Sequence, residues 1–456
     1  MLKESFKARM RDMLPPDEYD AFIRELESGE AVRGARVNLI KRKGGDMPRI
    51  DGTNASRLSY VDNGYILSGE VQIGRTPEHH AGMIYMQDPG AMSAMSALDI
   101  EPDWWVADLC ASPGGKSSQA AERLGEGGFL LANEYVPKRA KTVVGNFERL
   151  GIKNAIVTSM DTAELPKMFS EAFDLVILDA PCSGEGMFRK SEEALAEWSP
   201  EYTVVCAERQ REIFKNAYKI LKPGGYLLYS TCTWSTEENE EVVLWALSEY
   251  PELSLVPVKP ELRAVTRDGI ILGGCEQLSM ARRFYPHISP GEGQFAALFK
   301  KSGDPTKKQT ILYKERTKEL TREERRVVED FFRSSLVAPP SGRLVKSGEN
   351  VVLISHGCPL PPHSVFMSGV LIGEIRRGIL HPAHQFFSVY ADLFKIKEEL
   401  SCGEGRVDEY LLGYEIQTSS DKSGWCAVKY EGASLGGGKM SGGRIKNHYP
   451  KGLRNK

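Results

Sequence analysis

The stretch WWVADLCASPGGKSS, residues 104–118, decides the fold, because a short apolar run passes through a Gly-Gly turn into a helical segment. The same pattern recurs along the middle third of the chain, with apolar runs at residues 104–110, 128–135, 154–159, 173–181 and 225–233. Short apolar runs that alternate with helices are typical of a parallel sheet covered by helices. We therefore predict an open, doubly wound α/β sheet whose ligand lies across the carboxyl ends of the strands.

Composition is that of an ordinary soluble protein. The chain has 456 residues, of which 41% are hydrophobic, so it can form two or more domains with a sizeable core. The first residues, MLKESFKARMRDML, are charged and contain no apolar run. We therefore expect no secretory signal, no membrane span and a cytoplasmic location.

The eight cysteines lie far apart, without the CxxC pairs or histidine companions of a zinc site. We expect no metal, and in a reducing compartment we expect free thiols. Each thiol then either packs in a core or reacts.

Local patterns divide the chain into four regions. We predict an N-terminal α+β extension at 1–90 and the main sheet domain at 91–302, closed by a hairpin within 281–301. The turn-rich segment SGDPTKKQ opens a linker and α+β region at 303–400, and Gly-rich alternating runs such as WCAVKYEG indicate a small β module at 401–456.

The charge distribution bears on nucleic-acid binding. A formal net charge of −3 argues against a protein that coats nucleic acid unselectively, because such binding needs many phosphate contacts. The tail at 439–456 nevertheless carries six Lys or Arg and no acid, which suits a phosphate backbone. A solvated, partly frayed terminus explains the same charges equally well.

The loop after the first predicted strand matches neither common phosphate motif. A P-loop needs glycine at Cys110, and the GxGxxG fingerprint is absent. What remains is an acid at the strand end, Asp108, a turn at Gly114 and Gly115, and a helix N-terminus whose free N–H groups suit a carboxylate. The methionine part of S-adenosylmethionine fits this arrangement, although a tight βα connection explains a Gly-Gly turn by itself.

Acids also follow the next three predicted strands. Glu134 can accept hydrogen bonds from both ribose hydroxyls of a nucleoside, and Asp161 can receive an adenine amino group. Asp179 follows the fourth strand. A single Asp at such a position is more often a helix cap or a solvated surface acid, but four acids at four consecutive strand ends favour a binding site.

Two cysteines follow the fourth and fifth predicted strands. Cys182 lies in DAPC and Cys232 in STCT, so adjacent parallel strands are expected to direct both sulfurs into one cleft. Ser235 and Glu238 have the spacing of a capping box, which predicts a helix directly after Cys232. Buried structural cysteine is the alternative interpretation, and we apply it to Cys206.

A methyl donor beside a thiol suits one demanding reaction. Carbon 5 of cytosine is a poor nucleophile, and a thiolate that adds to carbon 6 makes carbon 5 an enamine-like centre. After methyl transfer a base must remove the proton on carbon 5 so that the thiolate can leave. The attacking thiol needs activation, and the sequence around Cys232 contains no adjacent His or Lys to supply it.

The chain resembles the Sun-type, or nucleolar-protein-type, family of RNA cytosine-5 methyltransferases, and within it the F type that modifies bacterial small-subunit ribosomal RNA. The matching motifs cover essentially the whole chain and are CASPGGK at 110–116, Glu134, Asp161, DAPCSGEGMFRK at 179–190, STCT at 230–233 and KNHYPKGLR at 446–454. The resemblance implies a Rossmann-like class I methyltransferase sheet, a PUA-like RNA-binding module at the C-terminus, and an N-terminal extension at 1–90 that contacts RNA.

Site residues also come from this resemblance. It implies that Cys232 is the nucleophile, that Cys182 assists product release, and that Asp179 lies near both donor and target base. Residues alone do not choose between the two thiols. The implied S-adenosylmethionine site comprises Cys110, Ala111, Ser112, Pro113, Gly114, Gly115, Lys116, Glu134, Asp161 and Asp179.

The implied substrate is a flipped-out cytidine of 16S ribosomal RNA, either free or in the assembled 30S subunit. Methylation of transfer RNA is an alternative, and a non-catalytic RNA-binding assembly factor is an alternative of another class. We expect no metal, no membrane and no obligate protein partner. Some side chains could contact RNA but also have ordinary structural explanations: Arg189, Lys190, Lys446, His448, Tyr449 and Lys451.

Overall fold

A computed structural model describes residues 2–27, 31–306, 309–314, 317–362 and 365–455. Lys307 and Lys308 of the predicted linker, and Lys456 of the basic tail, lie outside the described residues. Within these ranges no helix combines the length and apolar character that crossing a membrane requires.

The main sheet contains the five predicted parallel strands. In chain order, these strands are Trp105–Asp108, Phe129–Asn133, Ala155–Thr158, Phe173–Asp179 and Leu221–Thr231. If they are numbered 1 to 5 along the chain, their order across the sheet is 3-2-1-4-5. The order reverses between the first and fourth strands, where open α/β sheets bind their ligands. The doubly wound prediction is confirmed.

Antiparallel strands extend this sheet at both edges. Gln294–Lys301 pairs with the fifth parallel strand and forms the predicted hairpin with Arg282–Phe284. The other additions are Leu253–Leu255, Arg267–Asp268 and Met367–Ser368, the last of which pairs with the third parallel strand. A separate two-stranded ladder joins Phe169–Ser170 to Thr310–Ile311.

Helices cover both faces of the main sheet because its strands are apolar on both sides. In the fourth strand, Val176 and Leu178 enter one hydrophobic core, whereas Leu175 and Ile177 enter the other. The covering helices, including 3₁₀ turns, are Gly115–Ala121, Pro137–Leu150, Thr162–Lys167, Glu185–Met187, Glu192–Glu197, Pro200–Ile220, Glu240–Glu249, Pro260–Ala264 and Glu276–Met280.

The N-terminal region is an antiparallel sheet preceded by two helices, Glu4–Met13 and Pro16–Glu27. The sheet strands are Arg33–Val37, Asn54–Arg57, Gly64–Ser68 and Ile84–Met86. Short helices lie between the last two strands at Ile73–Arg75 and Pro77–His80, and another follows the sheet at Pro89–Met95. The two leading helices pack against the main domain. Their aromatic residues Phe6 and Phe22 join a core with Phe188, Trp198 and Trp234 of the main domain.

The region after the predicted linker contains helix Arg322–Ser335, which begins with a capping box formed by Thr321 and Glu324. A four-stranded sheet follows, with strands Arg343–Ser347, Asn350–Ile354, Val370–Arg376 and Ile379–Pro382. Helix His384–Tyr390 and the 3₁₀ turn Ala391–Leu393 then lead into the last module.

The C-terminal module is a five-stranded sheet with helix Gly405–Leu412 and the 3₁₀ turn Lys451–Leu453. Its strands are Ile396–Leu400, Ile416–Gln417, Gly424–Tyr430, Ala433–Ser441 and Arg444–Asn447. The first of these strands begins before residue 401, where the sequence placed the module's start.

Candidate active site

The two cysteines of the predicted site lie side by side because the strands that precede them are in register. Ser230 of the fifth strand pairs with Asp179 of the fourth. Cys182 lies three residues beyond Asp179 and Cys232 lies two beyond Ser230, so both loops leave the sheet at one level. The Sγ atoms of Cys182 and Cys232 are 3.2 Å apart, a hydrogen-bonding distance for thiols.

The surroundings of Cys182 disfavour its thiolate form. The hydrogen bond to Cys232, followed by burial and by the charges of Cys232 and Glu238, raises the pKa of Cys182 well above its usual value. Cys182 therefore keeps its proton near neutral pH and can donate it in the hydrogen bond to the Cys232 sulfur.

A buried carboxylate joins the two cysteine loops, and the sequence reasoning did not find it. Glu185 accepts hydrogen bonds from the backbone N–H of Trp234 at 2.7 Å, the Ser235 hydroxyl at 2.8 Å and the Trp198 indole N–H at 2.8 Å. Three donors satisfy a carboxylate that is fully buried. The only sequence signal was an acid between the two glycines of the CSGEG segment.

The same loops approach closely at a glycine. The Gly186 N–H donates to the carbonyl of Cys232 at 2.9 Å. A Cβ at position 186 would lie 2.9 Å from that carbonyl oxygen and 2.7 Å from the carbonyl oxygen of Gly293. Glycine is therefore required here for the close approach of two backbone segments.

The predicted capping box after Cys232 is wrong. The helix begins at Glu240, and the Ser235 hydroxyl bonds to Glu185 instead of to a helix N–H group. Glu238 turns inward, where it accepts hydrogen bonds from the Ser183 N–H at 2.9 Å and the Gln210 amide at 2.8 Å. Burial raises the pKa of Glu238 to about 7. The loop is fixed by tertiary hydrogen bonds, which outcompete the local cap.

The leading N-terminal helices contact the Cys232 loop from outside. The guanidinium of Arg9 donates to the Ser235 hydroxyl at 2.9 Å and pairs with Glu237 at 2.6 Å. The ring of Phe22 packs edge-on against Trp234, with centroids 4.8 Å apart. These contacts brace the segment that directly follows Cys232.

The loop after the first strand has the geometry that its glycines suggested. Gly114 takes a left-handed conformation with φ 111°, and helix Gly115–Ala121 begins at the next residue. Asp108 accepts hydrogen bonds from the Ser117 hydroxyl and from the Cys110 N–H, and burial raises its pKa to about 7. Ala111 is buried, Ser112 is half-buried and Pro113 is exposed.

Acids from three strand ends converge on Cys110. After burial, the charges of Asp108, Asp179 and Glu134 are the largest contributions that raise the pKa of this thiol. Asp179 pairs with Lys116 at 2.8 Å and accepts a hydrogen bond from Ser230 at 2.8 Å. The cluster combines several carboxylates with few cations and suits a cationic ligand.

The remaining predicted donor residues lie on the open edge of the same sheet. Glu134 is buried, accepts a hydrogen bond from the Val136 N–H at 3.0 Å and has Arg139 at 3.5 Å. Asp161 is exposed and accepts a hydrogen bond from the Ala163 N–H at 2.9 Å, as the first residue of a 3₁₀ turn. The Tyr135 side chain is 68% exposed, so this edge is open to a ligand.

Four of the possible RNA contacts are occupied by, or packed against, protein groups. Arg189 is buried and pairs with Glu25 and Glu292, and Lys190 pairs with Asp88 at 2.7 Å. Tyr449 is buried, and its hydroxyl lies 2.7 Å from His80. His448 remains at the surface, where its ring packs edge-on against Trp425. Arg189, Lys190 and Tyr449 therefore have structural partners.

All eight cysteines are free thiols. In the described ranges, no three His, Cys, Asp or Glu side chains come together in a group that could hold a metal ion.

Models of known families match the chain in three parts. The model described as 16S rRNA methyltransferase RsmB/F matches residues 95–300, and that for the N-terminal domain of 16S rRNA methyltransferase RsmF matches residues 2–89. The model described as Methyltransferase RsmF PUA domain matches residues 397–455.

Sequence comparison with individual proteins indicates the same family. The chain is 30% identical over 475 residues to ribosomal RNA small subunit methyltransferase F of Enterobacter sp. (strain 638), covering 99% of this chain and 95% of that protein. It is 35% identical over 313 residues to the protein of that name from Klebsiella pneumoniae (strain 342), covering 66% of this chain and 63% of that protein's length.

A solved structure supports the fold. The chain is similar to a methyltransferase homolog protein from Pyrococcus horikoshii, with a TM-score of 0.52 and 28% identity over 62% of this chain and 91% of that one.

Proposed function

Because the chain belongs to the family of 16S rRNA methyltransferases RsmB/F, a family of RNA methyltransferases, we propose that it methylates carbon 5 of a cytidine in 16S ribosomal RNA. The methyl donor in this proposal is S-adenosylmethionine. The observation that carries the proposal is the 3.2 Å contact between the Cys182 and Cys232 sulfurs at the ends of adjacent parallel strands. A non-catalytic RNA-binding factor has no need of two thiols in this arrangement.

The acidic cluster around Cys110 fits the proposed donor. When bound, S-adenosylmethionine supplies an electrophilic methyl group on a cationic sulfur. Glu134 and Asp179 supply carboxylates that favour such a cation, and Glu134 can accept hydrogen bonds from ribose hydroxyls. The open edge at Tyr135 and Asp161 can receive the base of the nucleoside.

Cys232 acts as the nucleophile in this proposal. Its thiolate forms a bond to carbon 6 of the cytidine, which places electron density on carbon 5 for attack on the methyl group. The S–H of Cys182 stabilises that thiolate by donating a hydrogen bond, because the raised pKa of Cys182 keeps it protonated.

Cys182 assists release of the methylated product. A base removes the proton on carbon 5, and the bond between carbon 6 and sulfur breaks with its electron pair returning to Cys232. Cys232 is then a thiolate again, and the Cys182 thiol can donate a hydrogen bond to it. Asp179, held by Lys116 and Ser230, belongs to the acidic cluster and precedes Cys182 by three residues, so it is suited to orient the target base.

The 16S substrate is proposed from the names of the relatives and from the C-terminal match. The PUA-domain model matches residues 397–455, and we propose that this module binds RNA. The target nucleotide must leave its stack before a thiol can reach carbon 6. Such an enzyme works where ribosomal subunits are, so we expect it in the cytoplasm.

The test uses full-length protein, radiolabelled S-adenosylmethionine, and either 16S ribosomal RNA or 30S subunits. We expect 5-methylcytosine at defined positions with the wild type and none above background with Cys232→Ala. Cys182→Ala is expected to accumulate a protein–RNA adduct, visible as a shifted band that survives denaturation.

Cys275→Ala is the matched control, because Cys275 is a half-buried thiol of the main domain that directly precedes the 3₁₀ turn Glu276–Met280 and lies outside both cysteine loops. It should methylate RNA like the wild type. Methyl transfer that persists in Cys232→Ala would reassign the nucleophile, and methylation of transfer RNA in place of 16S RNA would move the substrate to the alternative class.

A further inference from the structure

Two lysines face each other on neighbouring strands of the C-terminal sheet. Lys439 pairs directly with Lys446 in the antiparallel register, and both side chains are exposed. Like charges in directly opposed positions destabilise a sheet. The ion pairs of this module, among the described residues, join Arg406 to Glu398 and Glu404, and Lys429 to Asp392, which leaves both lysines without a carboxylate partner.

An aromatic side chain extends this pair into a row. Trp425 pairs with Lys439 on the other side, so Trp425, Lys439 and Lys446 lie side by side across three strands. Residues of the opposite face, such as Cys426 and Met440, are fully buried. The row therefore lies on the outward face of the sheet.

Two histidines border the row. The His448 ring packs edge-on against Trp425 with centroids 4.7 Å apart, and His381 comes from strand Ile379–Pro382 of the preceding four-stranded sheet. After burial, the charges of Lys446, His381 and Lys439 lower the pKa of His448, so these basic groups face one region. We call His381, Trp425, Lys439, Lys446 and His448 the lysine surface.

A helix packs beside the lysine surface on the same face of the sheet. Phe387 of helix His384–Tyr390 lies so close to Gly437 that a Cβ there would be 2.3 Å from its ring, and it also packs against Trp425 at 6.1 Å. This helix covers the neighbouring part of the same sheet face and leaves the row open.

We propose that the lysine surface binds the phosphate backbone of the RNA substrate at a place separate from the target cytidine. The inference rests on the proposed function, which supplies RNA as the partner. Unpaired lysines neutralise phosphates, and the interleaved aromatic rings offer flat faces for unstacked bases. An acidic protein would pair with the lysine charges but has no bases to stack on the aromatic rings, so RNA fits this surface better.

The test compares Lys439→Gln/Lys446→Gln with the control Lys167→Gln/Lys215→Gln. The control removes the same charge from two exposed lysines of the main domain that are paired with nearby glutamates. We expect the KM for a 16S ribosomal RNA transcript to rise about tenfold in the test variant, with kcat unchanged at saturating RNA. The slope of log affinity against log salt should fall by about 1 for each lysine.

The results of this experiment distinguish a failure of this inference from a failure of the proposed function. If the wild type methylates the transcript while test and control variants share one KM and one salt slope, the lysine surface does not bind RNA. If KM changes with 30S subunits but not with naked transcript, the surface binds a ribosomal protein and the inference is overturned. A wild type that forms no 5-methylcytosine overturns the proposed function instead.

Discussion

Single residues of this site have electrostatic properties set mainly by burial. Burial and a sulfur neighbour raise the pKa of Cys182, and burial raises the pKa of Asp108 and of Glu238 to about 7. Side chains with such perturbed pKa values cluster at functional sites more often than elsewhere. Here Cys182 and Glu238 lie in the two cysteine loops, and Asp108 ends the strand that leads into the donor loop.

Asp108 makes a pH-dependent contribution to the free energy of unfolding, and a single substitution can measure it. An exposed Asp has a pKa of about 4, so between about pH 4 and pH 7 the folded chain binds a proton that the unfolded chain has released. The free energy of unfolding therefore decreases as the pH rises through this window. Asp108→Asn lacks this contribution, and we expect its stability relative to the wild type to increase by about 2 kcal/mol between pH 5 and pH 8.

Urea unfolding of both proteins at the two pH values measures this difference. Other titrating groups, including Glu238, are present in both proteins and cancel in the comparison. A difference in unfolding free energy that stays constant from pH 5 to pH 8 would contradict the raised pKa.

At the level of elements, the site is two loops held against each other. Strand register brings Cys182 and Cys232 to one level, and this much was predictable because the carboxyl ends of adjacent parallel strands lie at one edge. The hydrogen bonds of Glu185 were not predictable, since its partners come from residues 13 to 50 positions away. The capping-box prediction failed because Glu185 binds the Ser235 hydroxyl, while Ser183 and Gln210 bind the Glu238 carboxylate.

Gly186 tests how closely the loops must approach. In Gly186→Ala the new Cβ meets two carbonyl oxygens, of Gly293 and Cys232, so backbone must shift. We expect a loss of about 1–3 kcal/mol in unfolding free energy and a lower kcat, because Cys232 moves relative to Cys182. Urea unfolding and RNA methylation assays measure the two effects.

Gly145→Ala is the matched control, because Gly145 lies inside helix Pro137–Leu150 with open space where its Cβ would be. There alanine should stabilise the protein by about 0.5–1 kcal/mol. Wild-type kcat and stability in Gly186→Ala would show that the loops do not need this contact.

At the level of the whole molecule, the terminal regions are tied to each other and to the main domain. The buried Tyr430 hydroxyl donates to Glu78 at 2.7 Å, and Asn455 donates to the carbonyl of Arg75 at 3.0 Å. The order of the regions was predictable from composition and motifs. Their contacts were not, because residues such as Arg9 and Ser235 meet across 226 positions of sequence.

Tyr430→Phe tests this attachment. The change removes the donor and leaves the buried Glu78 carboxylate with one hydrogen bond fewer, which should cost about 1–3 kcal/mol. We expect faster amide hydrogen exchange and faster limited proteolysis in the C-terminal module. Tyr414→Phe, at a side chain that is 63% exposed, should leave both rates unchanged, and equal rates in the two variants would show that the Glu78 contact does not fasten the module.

The helix that underlies Trp425 also reaches the main domain. The Ser388 hydroxyl donates at 2.8 Å to the carbonyl of Glu148, in the helix that starts shortly after Glu134. This hydrogen bond joins the element beneath the lysine surface to the domain that carries both thiols. If the lysine surface binds RNA, a folded substrate held there can present to the thiols only nucleotides that span the distance between the two sites, so the shape of the RNA would select the modified position.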